Sequence, residues 1–159
     1  VALGISHKSI IEGLKTFMPI KGRGNFHHLN NGLIVVDDSY NANPDSVNAA
    51  IKTMLDVQGR RAMILGDMAE LGGDSAFFHQ EILSFAVENL DEVFLFGKKF
   101  SEASKNLKCG KSYLSRKKLE EDVRLWLDSY PSKKNSTVIW IKGSRSSNLD
   151  VVVNYLLST

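Results

Sequence analysis

The sequence carries one cysteine, Cys109, and three prolines in 159 residues. A single thiol excludes an internal disulfide and a cysteine-rich zinc site, and Cys109 reads as an inert thiol. No apolar run approaches the ~18 residues needed to span a bilayer. Neither sign of charge dominates: 20 basic residues against 18 acidic ones leave a net +2. That is too little to argue for a nucleic acid or an anionic membrane as partner. The basic clusters Lys98-Lys99, Arg116-Lys117-Lys118 and Lys133-Lys134 are short, scattered and read as solvated faces. Two phosphate-binding signatures are missing. There is no G-x-x-x-x-G-K-[ST] loop, and no G-x-G-x-x-G between a strand and a helix, because Gly22-Arg23-Gly24 precedes its strand. The histidines, His7, His27, His28 and His79, lack metal-site spacing, so exposed or packing roles are expected and no metal site is assigned to the chain. Val1 opens the chain without a start methionine or a signal pattern. The expectation is a cytoplasmic protein of which this is a fragment starting mid-chain.

What remains is the composition of one ordinary domain, 43% hydrophobic and 24% charged, long enough to bury a real core. Residues 5–17 read as a short amphipathic helix with Ile10, Ile11, Leu14 and Phe17 on one side, ended by Met18-Pro19. A hairpin follows, from Asn25 to Leu29, through Asn30-Asn31-Gly32, into Leu33-Ile34-Val35-Val36; Asn-Gly between two such runs is a strong turn signal. Helices are then predicted over 44–57, 75–89, about 99–107, 116–129 and from about Asn148 onward. Asn43 is the N-cap of the first of these and Pro44 its first residue. Its buried stripe is Val47, Ala50, Ile51, Met54 and Leu55; the second buries Phe78, Ile82, Phe85 and Ala86. Strands are predicted at 62–65, which is wholly apolar, at 93–96 and at 137–141. Such strands alternating with amphipathic helices imply a sheet covered on both faces. The reading is an α/β domain, Rossmann-like and doubly wound, with a mostly parallel sheet and an antiparallel edge hairpin strand.

In sheets of this kind ligands bind beyond the carboxyl ends of the strands. The segments there are Asp37-Asp38-Ser39-Tyr40-Asn41, Gly66-Asp67-Met68, Gly97-Lys98 and Lys142-Gly143-Ser144-Arg145. Strand ends collect Gly, Asp and Asn for turns and caps, which accounts for Gly66, Gly97 and Asp37. Turns do not call for the pairing of Asp38 with a basic cluster at Lys142 and Arg145.

Gly22-Arg23, the run from Asp37 to Ser46 (DDSYNANPDS), the run from Leu65 to Gly72 (LGDMAELG), His79 and Lys142-Gly143-Ser144-Arg145 resemble the Mur ligase family in order and spacing. The likeness extends over about residues 1–157, and the DDSYNANPDS stretch is its most specific part. It is strongest to the branch that joins D-alanyl-D-alanine to UDP-N-acetylmuramoyl-tripeptide. The resemblance implies a three-domain, ATP-dependent amide ligase of peptidoglycan-precursor synthesis working through an acyl phosphate. Residues 1–21 would then be a helix and linker from the preceding domain, and residues 22–159 the C-terminal domain. ATP and Mg2+ are the implied cofactors, with the metal held mainly by the central domain. The remaining domains of the same ligase are implied partners. By the same resemblance Arg23 is catalytic and reaches the ATP side on closure, and Asp38 holds the ribose hydroxyls. A carboxylate suits vicinal hydroxyls, and an arginine suits transferring phosphoryl charge. Arg145, Ser144 and free N–H groups at a helix start near Asn148 are expected to clamp the dipeptide carboxylate, with Lys142 beside them. Asn41 and Asn43 are candidates for substrate contact, and Asn43 serves equally as an N-cap. The match at His79 is read as structural. The chain alone, lacking the phosphate loop, is expected to be inactive.

Two other readings compete. A phosphoacceptor receiver domain also carries an acidic pair after a strand and a lysine after the last one; Asp37-Asp38 and Lys142 fit, with Asp67 as acceptor. Against it, Asp67 follows only the second parallel strand and Gly, not Pro, follows Lys142. A sister ligase of the folylpolyglutamate synthase type shares the architecture, but the Asn41-Ala42-Asn43-Pro44 stretch argues against it.

Overall fold

A computed structural model describes residues 4–18, 20–129 and 136–158. Strands β1 (Asn25–His28), β2 (Leu33–Asp38), β3 (Arg60–Gly66), β4 (Glu92–Phe96), β5 (Lys111–Tyr113) and β6 (Thr137–Lys142) form one sheet in the order β1-β2-β6-β3-β4-β5. β1 is antiparallel to β2, and every other neighbouring pair is parallel. The register sets Asp38 level with Lys142, so the carboxyl ends of two non-consecutive strands meet side by side. The α/β architecture with an antiparallel edge strand is as the sequence predicts.

Helices α1 (His7–Lys15), α2 (Pro44–Leu55), α3 (Ser75–Asn89), α4 (Lys98–Leu107), α5 (Arg116–Asp128) and α6 (Asp150–Leu157) complete the chain. On one face, Val47, Ile51 and Met54 of α2, Ile82 and Leu83 of α3, and Phe100 of α4 pack on Val36, Met63 and Leu65. On the other, Leu119 and Val123 of α5 and Val152, Val153 and Leu156 of α6 pack on Val35, Ile64 and Ile139. Burial of each large aliphatic side chain contributes about 1.5–3 kcal/mol, so both faces are independently anchored.

Local chemistry places α2. Asn43 accepts from Ser46 N at 2.8 Å, Ser46 Oγ accepts from Asn43 N at 3.1 Å, and Pro44 opens the helix. This reciprocal cap fixes the turn that follows Asp38.

Several expectations are corrected. Leu55, the last residue of α2, is 40% exposed, while Met54 beside it is fully buried. Phe78 and Phe85 are only half-buried, while His79 and Leu83 take the inner face of α3. β5 was not predicted: Lys-Ser-Tyr offers one apolar residue, and pairing with β4 makes it a strand. α6 begins at Asp150, two residues beyond the expected start near Asn148, and a 3-10 turn, Arg145–Ser147, precedes it. α1 forms within the predicted span of residues 5–17; none of its residues is buried, and Ile11, Leu14 and Phe17 are exposed. Pro19 and Lys133-Lys134 lie outside the described residues.

Candidate functional site

β2 ends on Asp38 and β6 on Lys142, and the two side chains meet. Lys142 Nζ donates to Asp38 Oδ2 at 2.7 Å and to the Asn41 carbonyl at 3.1 Å. Trp140 Nε1 donates to the same Oδ2 at 3.3 Å. Lys142 is almost wholly buried, and a buried ammonium requires such a counter-charge. Asp38 Oδ1 has no hydrogen-bond partner among the described residues. This carboxylate lines a cleft of about 430 Å³ with Arg23, Asn41, Asn43, Trp140 and Lys142, and Ala49 and Thr53 of α2 line it too. Arg23 is held by its neighbours: its guanidinium lies 4.4 Å over the Tyr40 ring, and Tyr40 N donates to Gly22 O at 3.0 Å. Gly22 has φ +79, and a Cβ there would stand 3.1 Å from Tyr40 Cβ, so the close approach suits glycine. The Oδ1 atoms of Asn41 and Asn43 accept from Ala42 N and Ser46 N. Both residues line the cleft.

Arg145 is elsewhere. It lines a second pocket of about 280 Å³ with Lys21, Asp37, Ser39, Tyr40 and Asp150. Its side chain is 64% exposed and pairs with Asp150 Oδ2 at 3.4 Å, while Asp150 Oδ1 is buried with no hydrogen-bond partner among the described residues. Asp37 accepts from Ser39 Oγ at 2.6 Å and from Ser39 N at 3.2 Å, a local turn. Ser144 is buried and donates to the Asp67 carbonyl at 2.6 Å. The expected group of Lys142, Ser144 and Arg145 is therefore divided: Lys142 belongs to Asp38, Ser144 to the loop after β3, and Arg145 alone of the three lines the second pocket.

The loop after β3 is scaffolding for this rim. Asp67 Oδ2 and Oδ1 accept from Lys99 N at 3.2 Å and Phe100 N at 3.0 Å, capping α4 across more than 30 residues of sequence. Gly97 has φ +119, and a Cβ there would collide with that carboxylate. His79 is buried, its Nε2 accepting from Met68 N at 3.0 Å and its Nδ1 lying 2.6 Å from Ser75 O. The neutral tautomer with the proton on Nδ1 satisfies both contacts. Burial is the main reason its pKa is lowered below 6.5, outweighing its bond to Ser75 O and the nearby Asp67 charge.

Sequence reasoning missed Trp140. Inside the run TVIWIK it reads as core, and no spacing signal marks its N–H. Among the described residues no three His, Cys, Asp or Glu side chains gather to hold a metal. The cleft does not fit a magnesium ion, since the carboxylate there is already neutralised by an ammonium. No helix among the described residues is long and apolar enough to cross a membrane.

Residues 22–145 match the family described as Mur ligase, glutamate ligase domain. A relative from Buchnera aphidicola (subsp. Acyrthosiphon pisum), named UDP-N-acetylmuramoyl-tripeptide--D-alanyl-D-alanine ligase, is 38% identical over 125 residues, covering 78% of this chain and 27% of its own. A crystal structure of MurF from Acinetobacter baumannii superposes with a TM-score of 0.86 at 28% identity, covering 99% of this chain and 34% of that one. MurF ligase from Thermotoga maritima, solved in complex with ADP, gives 0.74 at 25% identity, covering 92% and 35%. Folylpolyglutamate synthase from Mycobacterium tuberculosis gives 0.64 at 12% identity, covering 96% and 36%, a likeness of fold alone. The chain thus spans about a third of the length of the proteins it matches.

Proposed function

From the premise that this chain belongs to the Mur ligase family, we propose that it is the C-terminal domain of an ATP-dependent ligase joining D-alanyl-D-alanine to UDP-N-acetylmuramoyl-tripeptide. The relatives' names support the substrates, and the ADP complex of the Thermotoga ligase supports the nucleotide. The observation that carries the reading is the Asp38 carboxylate, with one oxygen anchored by Lys142 and Trp140 and the other open to a cleft that Arg23 overlooks. The boundary between residues 21 and 22 belongs to the same proposal. The family match begins at residue 22, and α1 buries nothing against the sheet. A cytoplasmic setting is also part of it, since ATP is the co-substrate.

In this mechanism Asp38 Oδ1 accepts the vicinal hydroxyls of the ribose, fixing the nucleoside end. Arg23 projects a permanent charge toward the phosphates when the domains close. It stabilises negative charge spread over the transferring phosphoryl group, as the substrate carboxylate becomes an acyl phosphate. Magnesium would be held by the rest of the enzyme, and no step here depends on it. Arg145, in the second pocket, offers a planar fork to the dipeptide carboxylate, leaving the dipeptide amine to attack the acyl phosphate; the amide C–N bond forms, the C–O bond to phosphate breaks, and inorganic phosphate and the amine proton leave.

In the full-length ligase, Asp38→Ala should raise KM for ATP about 10- to 100-fold, since a hydrogen bond to a charged group contributes ~1.5–3 kcal/mol. Arg23→Ala should fall mainly on kcat. An Asp38 variant with unchanged ATP kinetics would reduce the residue to a turn and remove the basis of the proposal.

The receiver-domain alternative fares worse in three dimensions. Both carboxylate oxygens of Asp67 accept from α4 amides, which makes Asp67 the cap of that helix.

A further inference from the structure

Trp140 lines the nucleotide cleft, and the reading above uses it only as an anchor for one oxygen of Asp38. Trp140 sits in β6 between Val36 of β2 and Met63 of β3. It is 8% exposed and lines the cleft. Phe26 of the edge strand stands against it, ring centroids 5.9 Å apart and planes at 79°.

The Trp140 N–H reaches the same Asp38 oxygen that Lys142 holds, at 3.3 Å beside 2.7 Å. A single ammonium at one carboxylate oxygen leaves the group free to swing about that contact, because an ammonium is a compact charge without directional preference. A second donor, fixed in a ring packed within the sheet, removes that freedom. The two together leave Oδ1 as the oxygen with unspent acceptor capacity.

We infer that Trp140 is a positioning residue of the nucleotide site: its indole N–H sets the orientation of Asp38, so that Oδ1 is presented to the ribose hydroxyls and the site prefers a ribonucleotide. The inference rests on the reading of Asp38 as the ribose acceptor. Orientation matters here because two vicinal hydroxyls can share one oxygen only from a narrow range of directions.

The test uses the full-length ligase at saturating dipeptide and UDP-linked tripeptide, comparing KM for ATP with KM for 2′-deoxy-ATP. The wild type should favour ATP by ~10-fold or more, and Asp38→Ala should abolish the preference. Trp140→Phe removes the N–H and trims the ring. Benzothienylalanine in place of Trp140 removes the N–H while keeping the ring's size, so it carries the test if the phenylalanine variant fails to fold. Either variant should reduce the ATP preference about threefold or more, with kcat for ATP within about twofold of wild type.

If Asp38→Ala abolishes the preference and the indole isostere leaves it intact, the inference is overturned and the ribose reading stands. A parallel rise of both KM values at constant ratio also overturns it, leaving Trp140 a packing residue. If Asp38→Ala keeps the wild-type preference, or the wild type has none, the ribose reading itself fails and the inference falls with it.

Discussion

At the scale of single residues, Lys142 and Arg145 are both basic and three positions apart, yet they face opposite problems. Lys142 is buried and held by two acceptors, so its loss strands a carboxylate. Lys142→Met should destabilise the chain by ~3 kcal/mol, the lower end for breaking a buried pair, because Asp38 keeps 19% exposure. Adding Asp38→Asn should restore part of the loss by removing the orphaned charge. Thermal melts of the two variants check this, and a double variant no more stable than Lys142→Met would show that the ammonium matters through packing alone. Arg145 is mostly exposed, with one long ion pair that contributes at most about 1 kcal/mol. Arg145→Ala should therefore melt near wild type, while kcat/KM for D-alanyl-D-alanine falls ~100-fold in the full-length ligase. Arg145→Lys should recover only part, since charge returns without the fork. A variant that loses stability but keeps its dipeptide kinetics would make the residue structural and displace the acceptor site. The sequence showed that basic residues gather at this strand end. It did not show that Lys142 and Arg145 line different pockets, because the bond between Lys142 and Asp38 spans 104 positions.

At the scale of elements, the loop after β3 joins three parts of the rim. Asp67 caps α4, its carbonyl receives Ser144, and Met68 N is held by His79. The last contact makes stability sensitive to pH. The lowered pKa of His79 means that the unfolded chain binds the proton more readily than the folded one. Its contribution is therefore fully present above the unfolded value of about 6.5 and is lost as pH falls from there toward the folded value. The melting temperature should drop as pH falls below about 6.5, and His79→Gln should flatten that drop while lowering the plateau. Equal slopes in the two proteins would assign the acid sensitivity to other groups. α3 was legible from its periodicity, but its apolar residues surround the helix so fully that the inward stripe was read only in part: Ile82 and Ala86 are buried as expected, while His79 and Leu83 are buried in place of Phe78 and Phe85. The position of Met68 N turned His79 to the inside.

On the scale of the whole molecule, two helical layers bury both faces of the sheet with clusters that share no residue. The 159-residue chain should consequently fold and melt cooperatively by itself. It should show no magnesium-dependent ATP hydrolysis above background, because its sequence has no phosphate loop and its cleft holds only the nucleoside end of the proposed site. A purified chain that turns over ATP would contradict both the domain assignment and the proposed division of labour. The chain covers about a third of its relatives, so catalysis is a property of the closed, longer protein in this reading.

Hydrophobic period, turn chemistry and caps are local, and they sufficed to read the α/β class, the hairpin at Asn31-Gly32 and the Asn43 cap from the chain alone. Segment patterns as specific as DDSYNANPDS likewise carried the family without any structure. Three features waited for the tertiary structure: β5, which exists because β4 offers an unpaired edge; the burial of His79; and the union of Asp38, Trp140 and Lys142. Each depends on contacts between residues distant in sequence. Such contacts are decided by which strands become neighbours, and the insertion of the last strand, β6, between β2 and β3 is written in no local window of the chain.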